Sequence, residues 1–317
     1  MTTEAPLQEQ SARILEEVSR VIVGKEQVLQ KILMAMLANG HVLFEDYPGL
    51  AKTLTARCFA ATVGCEFKRV QFTSDLLPGD VTGSYVLNRK TSEFELRSGP
   101  IFCNILLADE INRASPRTQS ALLEAMQESQ VTIENSSMKL PPPFIVFATQ
   151  NPIEYEGTYP LPEAQLDRFI VKLGIGYPSQ TEETEILDRR LKRQTDEEKV
   201  AQVVSKEEFL GMQKMVETVH VDPALLKYIV AIVDKTRGHG SFEVGASPRG
   251  SLSILKLSRA CAWLHQRSYV IPDDIKFVAV SALSHRVILT SDQWIRGAKP
   301  EVVIEGVLQS VDVPKVD

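Results

Sequence analysis

A short apolar segment that ends in two adjacent carboxylates constrains the fold of this chain most strongly. Residues 105–108 are uniformly apolar, and Asp109 and Glu110 follow them. Ser115-Pro116 then supplies a capping side chain and a first-turn proline, which are typical of a helix start. Two carboxylates at the mouth of a buried strand are costly unless a cation lies beside them. The pattern therefore predicts a strand, a cation site at its carboxyl end, and a helix directly after it.

An upstream loop has the composition of a phosphate-binding turn. It reads Pro48-Gly49-Leu50-Ala51-Lys52-Thr53 and lies between an apolar segment and a helical pattern. In such a loop, backbone N–H groups and the helix N-terminus bind phosphate oxygens. Lys52 is expected to reach the β- and γ-phosphates, and the Thr53 hydroxyl is expected to bind Mg²⁺. The strict pattern has glycine where this chain has Asp46 and Ala51, so an ordinary strand–turn–helix remains the alternative for the loop alone.

The loop and the acidic pair together predict a metal–nucleotide site. Asp109 would hold Mg²⁺ through a water molecule, and Glu110 would orient and polarise the attacking water. A single strand lies between the two motifs, and this spacing is typical of nucleotide-binding α/β domains. A solvated acidic turn is the alternative for the pair, and the upstream loop disfavours it.

Five apolar stretches that alternate with helical patterns predict an α/β fold, specifically a three-layer αβα domain around a parallel five-stranded sheet. Most stretches are continuous rather than alternating, which is typical of a parallel sheet covered on both faces. Two pairs of shorter extended segments predict inserted β-hairpins, at 81–86 with 94–96 and at 131–133 with 138–140. The predicted sheet strands are residues 41–45, 67–73, 104–108, 144–149 and 169–174.

The pattern becomes helical after residue 178 and remains so nearly to the end of the chain. Capping boxes start at Ser179 and Ser205, and further helices start at Asp222-Pro223 and Pro272. A chain of 317 residues has room for two domains. We therefore predict a core of residues 1–178 and an all-helical domain of residues 179–317.

Three further polar residues are candidates for the same site. Asn151 follows an apolar strand, so it would lie at the same sheet edge as Glu110 and either sense the γ-phosphate or cap a turn. Arg168 could pair with Asp167 or reach a nucleotide on a neighbouring subunit, where an arginine is worth about 10³–10⁵ in rate. Arg249 begins a helix, where it could contact phosphate or lie on the surface.

Composition and charge disfavour several classes of protein. The formal net charge of −6 disfavours a non-specific nucleic-acid binder. The apolar runs are too short to span a bilayer, and residues 1–17 lack the apolar centre of a signal peptide. The four cysteines and five histidines show no metal-binding spacing, so we expect reduced thiols in a cytoplasmic protein.

Four segments together resemble the MoxR family of AAA+ ATPases, and the resemblance extends from about residue 21 to about residue 286. The segments are 45–53, 107–114, 148–152 and 162–169. The resemblance implies that the fold is an AAA+ core with a helical lid and that the two hairpins are a helix-2 insert and a pre-sensor-1 hairpin. It assigns the Walker A loop to residues 46–53, Walker B to Asp109 and Glu110, sensor 1 to Asn151, the arginine finger to Arg168 and sensor 2 to Arg249.

The resemblance also implies ligands and partners. It predicts ATP or ADP with Mg²⁺, adenine held by the backbone at Val23 and Gly24, and further nucleotide contacts from Asp46, Pro48, Gly49, Leu50, Ala51, Lys52, Thr53 and Leu54. Similar proteins form hexameric rings with the site between subunits and act like chaperones, in metal insertion or complex maturation, often beside a partner with a von Willebrand factor A domain. Whether Arg249 would act on its own subunit or across the interface stays open.

Two other functions are alternatives to an ATPase that remodels a protein client. A nucleotide-gated scaffold with negligible turnover is disfavoured by the complete set of Glu110, Asn151 and Arg168. A DNA motor similar to the MCM helicases needs basic residues on the second hairpin, where Lys139 and Glu134 offset each other. We therefore expect ATP hydrolysis coupled to a protein client.

Overall fold

A parallel sheet lies at the centre of the computed structural model, which describes residues 4–134, 136–152 and 157–315. In chain order the strands are β1 (His41–Glu45), β2 (Phe67–Gln71), β3 (Gly83–Asn88), β4 (Glu93–Ser98), β5 (Ile105–Asp109), β6 (Gln130–Ile133), β7 (Ser136–Lys139), β8 (Ile145–Gln150), β9 (Phe169–Leu173), β10 (Phe242–Val244) and β11 (Ile288–Leu289). Five of them form the central sheet in the order β2-β5-β8-β1-β9, and each neighbouring pair is parallel. The predicted five-stranded parallel sheet is confirmed.

The sheet is buried on both faces, which explains the continuous apolar pattern of its strands. Phe44, Leu107 and Phe147 belong to the apolar cluster on one face. Their chain neighbours Leu43 and Leu106 belong to the cluster on the other face. Fully burying one such side chain contributes about 1.5–3 kcal/mol, so neither face tolerates solvent.

Helices cover both faces of the sheet and make up most of the second half of the chain. They are α1 (Glu4–Ser19), α2 (Glu26–Leu37), α3 (Lys52–Thr62), α4 (Pro78–Thr82), α5 (Pro116–Glu128), α6 (Glu163–Leu166), α7 (Gln180–Arg193), α8 (Lys206–Val216), α9 (Pro223–Arg237), α10 (Pro248–Leu264), α11 (Pro272–Leu283), α12 (Ser291–Ile295) and α13 (Pro300–Ser310). The predicted caps are present: the side chains of Ser115, Ser179 and Ser205 each accept a backbone N–H. None of the described helices combines the length and apolar character that crossing a bilayer requires.

Two antiparallel hairpins, β3–β4 and β6–β7, interrupt the α/β series as predicted. The first begins later than expected, because Val81 belongs to α4 instead of a strand. Pro78 occupies the first turn of that helix, and the Asp80 carboxylate accepts the Leu77 N–H at 2.9 Å, which holds the segment helical. Asn135, between the two strands of the second predicted hairpin in sequence, lies outside the described residues.

The second half of the chain packs on one face of the sheet together with α1 and α2. Leu257 and Val278 share one continuous apolar cluster with Phe44 of the sheet. Trp263 of α10 donates its indole N–H to Ser11 of α1 at 3.2 Å, a contact that joins the first helix to the second half of the chain. This region is not entirely helical as predicted, because β10 and β11 pair as a small antiparallel sheet. The two strands are too short to give an alternating pattern in the sequence.

Candidate functional site

A cavity of about 390 Å³ opens at the carboxyl ends of β1, β2, β5 and β8. It contains the loop and the acidic pair singled out from the sequence. The carboxyl ends of parallel strands are where α/β proteins bind ligands. The cavity is lined by residues 48–54 together with Arg69, Gln71, Asp109, Glu110, Thr149, Gln150 and Asn151.

The loop has a backbone shape suited to an anion. Gly49 and Ala51 both have left-handed conformations, with φ of 80° and 55°, and α3 begins at the next residue, Lys52. Alternating left-handed residues turn successive N–H groups toward a common concavity, and the helix N-terminus adds to the positive potential. Nothing lies within 4 Å of a Cβ built on Gly49, so the loop is open toward the cavity. The backbone can therefore approach a phosphate closely.

Lys52 is held in place by the loop itself. Its ammonium donates to the carbonyl oxygens of Asp46 at 2.8 Å and Tyr47 at 2.7 Å. Burial lowers the pKa of this ammonium, and the carboxylates of Asp46, Asp109 and Glu110 act in the opposite direction. Lys52 lines the same cavity as both acidic residues of the second motif.

Asp46 has a structural task that explains why it replaces the usual glycine. Its carboxylate accepts the backbone N–H of Tyr47 at 2.9 Å and of Gly176 at 2.6 Å. These bonds tie the end of β1 to the segment that follows β9. Asp46 is not among the residues that line the cavity, so its negative charge is committed to the chain instead of facing a ligand.

The side chain of Asp109 is fixed by two neighbours. One oxygen accepts the Thr149 hydroxyl at 2.6 Å, and the other accepts Arg69 Nε at 3.0 Å and Nη2 at 2.7 Å. Thr149, which is 1% exposed, also accepts the backbone N–H of Glu110 at 2.8 Å. One buried hydroxyl therefore sets the relative position of the two acids.

Glu110 is the second member of this network. Its backbone is left-handed, with φ of 55°, which is strained for a residue with a side chain and turns the acid out of the strand direction. Its carboxylate accepts Gln71 Nε2 at 2.7 Å and lies 3.3 Å from Arg113 Nε. These two contacts hold the Glu110 carboxylate in one direction.

The remaining candidates on this side of the molecule occupy two places. Asn151 is 6% exposed and lines the cavity, next to the acids as the sequence indicated. Val23 and Gly24 do not line it but lie by the start of α7. Gly24 has a φ of 65°, a left-handed conformation that favours glycine, and a Cβ there would displace the Glu182 carboxylate. The neighbouring Lys25 donates to the carbonyl of Tyr177 at 2.7 Å.

Arg168 and Arg249 lie elsewhere, in a second cavity of about 390 Å³. This cavity is also lined by Gly40 and Phe144, which directly precede β1 and β8, so it opens at the amino ends of the strands. A five-residue strand spans roughly 16 Å, so the sheet separates these arginines from Lys52 in the same chain. Burial and then the nearby Arg249 lower the pKa of the Arg168 guanidinium, as expected for two cations in one cavity.

Several residues of both cavities were not singled out from the sequence. Arg69 and Gln71 were counted within an apolar strand, although their spacing of two places them on one face beside Asp109. That spacing was a usable signal. The sequence contained no such signal for Arg286, which follows α11. This residue pairs with Asp167 at 2.7 Å, and more than a hundred residues of sequence separate the two partners. Asp167 therefore does not depend on Arg168 for its charge partner.

Comparison with known proteins gives relatives that cover nearly the whole chain. A family model described as "ATPase family associated with various cellular activities (AAA)" matches residues 41–171, and one described as "AAA lid domain" matches residues 234–305. YeaC, an uncharacterised protein of Bacillus subtilis, is 51% identical over 95% of this chain and 94% of its own length. Chaperone MoxR1 of Mycobacterium tuberculosis is 45% identical over 96% of this chain and 82% of its own length.

A solved structure gives the same result at the level of the fold. The crystal structure of a "putative ATPase" from Cytophaga hutchinsonii superposes with a TM-score of 0.91 at 39% identity. The superposition covers 98% of this chain and 97% of that one. The sheet, the hairpins and the helical second half are thus one shared arrangement.

Proposed function

Because this chain belongs to the MoxR family of AAA+ ATPases, we propose that it hydrolyses ATP to ADP and phosphate with Mg²⁺ at the cavity beside Lys52. One observation carries the proposal: an anion-binding loop, a lysine and two fixed carboxylates line the same cavity. An anion-binding loop alone could bind any phosphate. The additional pair of acids could bind the metal ion of a nucleoside triphosphate and orient an attacking water.

The side chains around the cavity fit a hydrated magnesium ion. Mg²⁺ takes oxygen ligands and keeps several waters, so it needs only one or two protein groups beside the phosphates. The Thr53 hydroxyl and, through water, the Asp109 carboxylate would hold it. The bound ion would neutralise charge on the phosphate oxygens. Arg69 now partners Asp109, so we expect this guanidinium to yield part of that contact to the hydrated ion.

Glu110 is proposed to prepare the water for attack on the γ-phosphate. The hydrogen bond from Gln71 and the position of Arg113 hold the carboxylate at the cavity wall. Thr149 fixes its backbone, and Asn151 offers an amide at the same edge for the water or the phosphate. The proposed catalysis consists of positioning the water against the γ-phosphate and stabilising the charge that develops in the transition state, and these residues would contribute to both.

Arg168 and Arg249 are proposed to act on the nucleotide of a neighbouring subunit. Both lie at the edge of the sheet opposite Lys52, and this separation supports action on a nucleotide other than that of their own chain. In a head-to-tail ring the amino edge of one subunit would face the carboxyl edge of the next. We therefore assign Arg249, like Arg168, to action in trans, and we propose a hexameric ring as in similar proteins.

The work of the ring is proposed to be the remodelling of a protein client. The name of the relative Chaperone MoxR1 supports a chaperone-like role, and the resemblance to the family suggests maturation or metal insertion beside a protein with a von Willebrand factor A domain. We propose that residues 1–178 bind nucleotide and that residues 179–317 act as a lid. Four free, buried cysteines support a cytoplasmic location.

The decisive experiment compares the wild-type protein with Glu110→Gln. We expect the variant to lose turnover on the order of 10²–10⁴-fold while its ATP affinity stays unchanged, because the amide keeps the shape of the side chain but cannot polarise water. Phosphate release at high protein concentration and equilibrium ATP binding are the two measurements.

The same assay separates an ATPase from a nucleotide-gated scaffold. A scaffold would bind ATP and release phosphate at the same negligible rate with or without Glu110. Undiminished hydrolysis in Glu110→Gln would refute the role assigned to this acid.

A further inference from the structure

A buried guanidinium holds the segment that carries Arg168. Arg286, whose side chain is 2% exposed, donates through Nε to Asp167 Oδ1 at 2.7 Å. Its Nη2 donates to the carbonyl oxygens of Asp167 at 3.0 Å and Phe169 at 2.7 Å. These two carbonyls flank Arg168 in the chain. Arg286 therefore holds the backbone on both sides of the half-buried Arg168, whose own guanidinium donates through Nη1 to the Leu123 carbonyl.

The same ion pair extends to Arg249. The second oxygen of Asp167 accepts the Ser247 hydroxyl at 3.0 Å and lies 3.9 Å from Arg249 Nε. Ser247 caps α10 by accepting the backbone N–H of Arg249 at 3.2 Å. One carboxylate thus contacts the buried Arg286, the start of α10 and Arg249, and it belongs to the residue directly before Arg168.

The chemistry of Arg286 exceeds what packing alone requires. Burying a guanidinium is costly, and a buried ion pair is weak evidence of stabilisation, because apolar side chains of similar volume often serve as well. A planar fork with five donors instead fixes direction. Here every nitrogen of the fork is used: Nη1 also donates to the carbonyls of Ala282 and Ile170. What this arrangement determines is the orientation of the segment between residues 167 and 170.

We propose that Arg286 is a positioning residue for ATP hydrolysis on the neighbouring subunit, acting through Asp167 to hold Arg168 and Arg249 as one array. It touches no nucleotide itself. The inference rests on the proposed trans action of the two arginines. It adds that their geometry is set by the lid of the subunit that supplies them, and not by the lid of the subunit that hydrolyses ATP.

Mixed assemblies test this directionality. Two full-length chains, Glu110→Gln and Arg168→Ala, are co-expressed with different tags and purified through both. Each is inactive alone, but the first supplies intact arginines to the intact Glu110 of the second, so the mixture regains turnover. Arg286→Met is then added either to the Glu110→Gln chain or to the Arg168→Ala chain. The readout is phosphate release per doubly tagged assembly.

The proposal predicts an asymmetric result. Arg286→Met on the Glu110→Gln chain lowers the regained rate on the order of 10–100-fold, since a displacement near 1 Å at a reacting group has that effect. On the Arg168→Ala chain, whose arginine array is already incomplete, the regained rate stays within about twofold of the parent mixture. An equal loss in both placements, or no loss in either, overturns the proposal.

Matched variants separate positioning from folding. Arg267→Met breaks another ion pair of the same region, with Asp274, whose side chain is 3% exposed. Arg267 lies beyond the far end of α10, about 25 Å along the helix from Arg249. We therefore expect Arg267→Met to change the regained rate equally whichever of the two chains carries it. If Arg286→Met does not fold, Asp167→Asn replaces it at both placements with the same asymmetric expectation.

The parent mixture distinguishes failure of this inference from failure of the proposed function. If Glu110→Gln and Arg168→Ala regain no turnover together, the trans action of the arginines is wrong, and the inference falls with it. If they regain turnover but the placement of Arg286→Met makes no difference, only the inference is wrong.

Discussion

The carboxyl edge of the sheet holds Lys52, Asp109 and Glu110, whereas the amino edge holds Arg168 and Arg249. The first set comes from contiguous motifs, each placed where a strand ends. The second set is assembled by Asp167 and Arg286 from parts of the chain far apart in sequence. The groups proposed to bind phosphate and metal and the two arginines proposed to act on a neighbour thus lie on opposite edges. Under the proposed function, one subunit cannot apply both sets of residues to a single nucleotide.

The largest expected effect is that of Arg168→Ala. If the amino edge serves a neighbour, this change lowers kcat by about 10³–10⁵, because a cation is lost from the transferring phosphoryl group. ATP affinity is expected to change little, because the arginine acts mainly on charge that develops in the transition state. Lys52→Ala is the matched contrast and is expected to lose ATP binding itself. Steady-state kinetics gives kcat, and nucleotide titration gives ATP affinity. If the two variants changed kcat and ATP affinity in the same way, the two edges would not have separate roles.

The positions of the acids at the carboxyl edge could be predicted from the sequence, whereas the ion pair at the amino edge could not. The strand-end position of Asp109, Glu110 and Asn151 follows from local pattern alone, because the carboxyl ends of parallel strands meet at one edge. The helices α1 and α2 and the pairing of β10 with β11 gave no sufficient local signal. Arg286 could not be found because its partner Asp167 is distant in the chain, and single-sequence periodicity does not report such pairings.

A second, smaller effect concerns acid stability at the amino edge. His41 accepts the Val146 N–H at Nδ1 and is therefore expected to donate from Nε2 to the Met126 carbonyl, which requires the neutral ring. Burial lowers its pKa from 6.5 to about 4. The unfolded chain then binds more protons between these values, so the free energy of unfolding falls as pH drops from 6.5 to 4, by about 3 kcal/mol.

Chemical denaturation of the wild type and His41→Gln across this pH range measures that contribution. His285 is also buried with a lowered pKa, so the His41→Gln variant retains the part of the pH dependence that comes from that residue. The difference between the two proteins isolates His41. Parallel curves would mean that His41 tolerates its proton in the folded state.

The smallest expected effect belongs to Thr149 at the carboxyl edge. Thr149→Val removes the hydroxyl that joins Asp109 to the Glu110 backbone and leaves the partly buried Glu110 N–H without that acceptor. We expect unfolding to become easier by about 1–3 kcal/mol, with a fall in kcat because both acids lose a fixed neighbour. Thr149→Ser keeps the hydroxyl and is the control. Equal stability and activity for the valine and serine variants would show that the hydroxyl does not organise the acids.

Turnover per subunit as a function of protein concentration tests most directly the claim that one chain is an incomplete enzyme. Phosphate release is measured at saturating ATP over a dilution series, with sedimentation reporting the assembly at each point. The rate per wild-type subunit should rise as subunits assemble and fall toward that of Arg168→Ala where the chain is monomeric. A constant rate per subunit down to the monomer would contradict the account, because Arg168 and Arg249 would then contribute nothing from a neighbour.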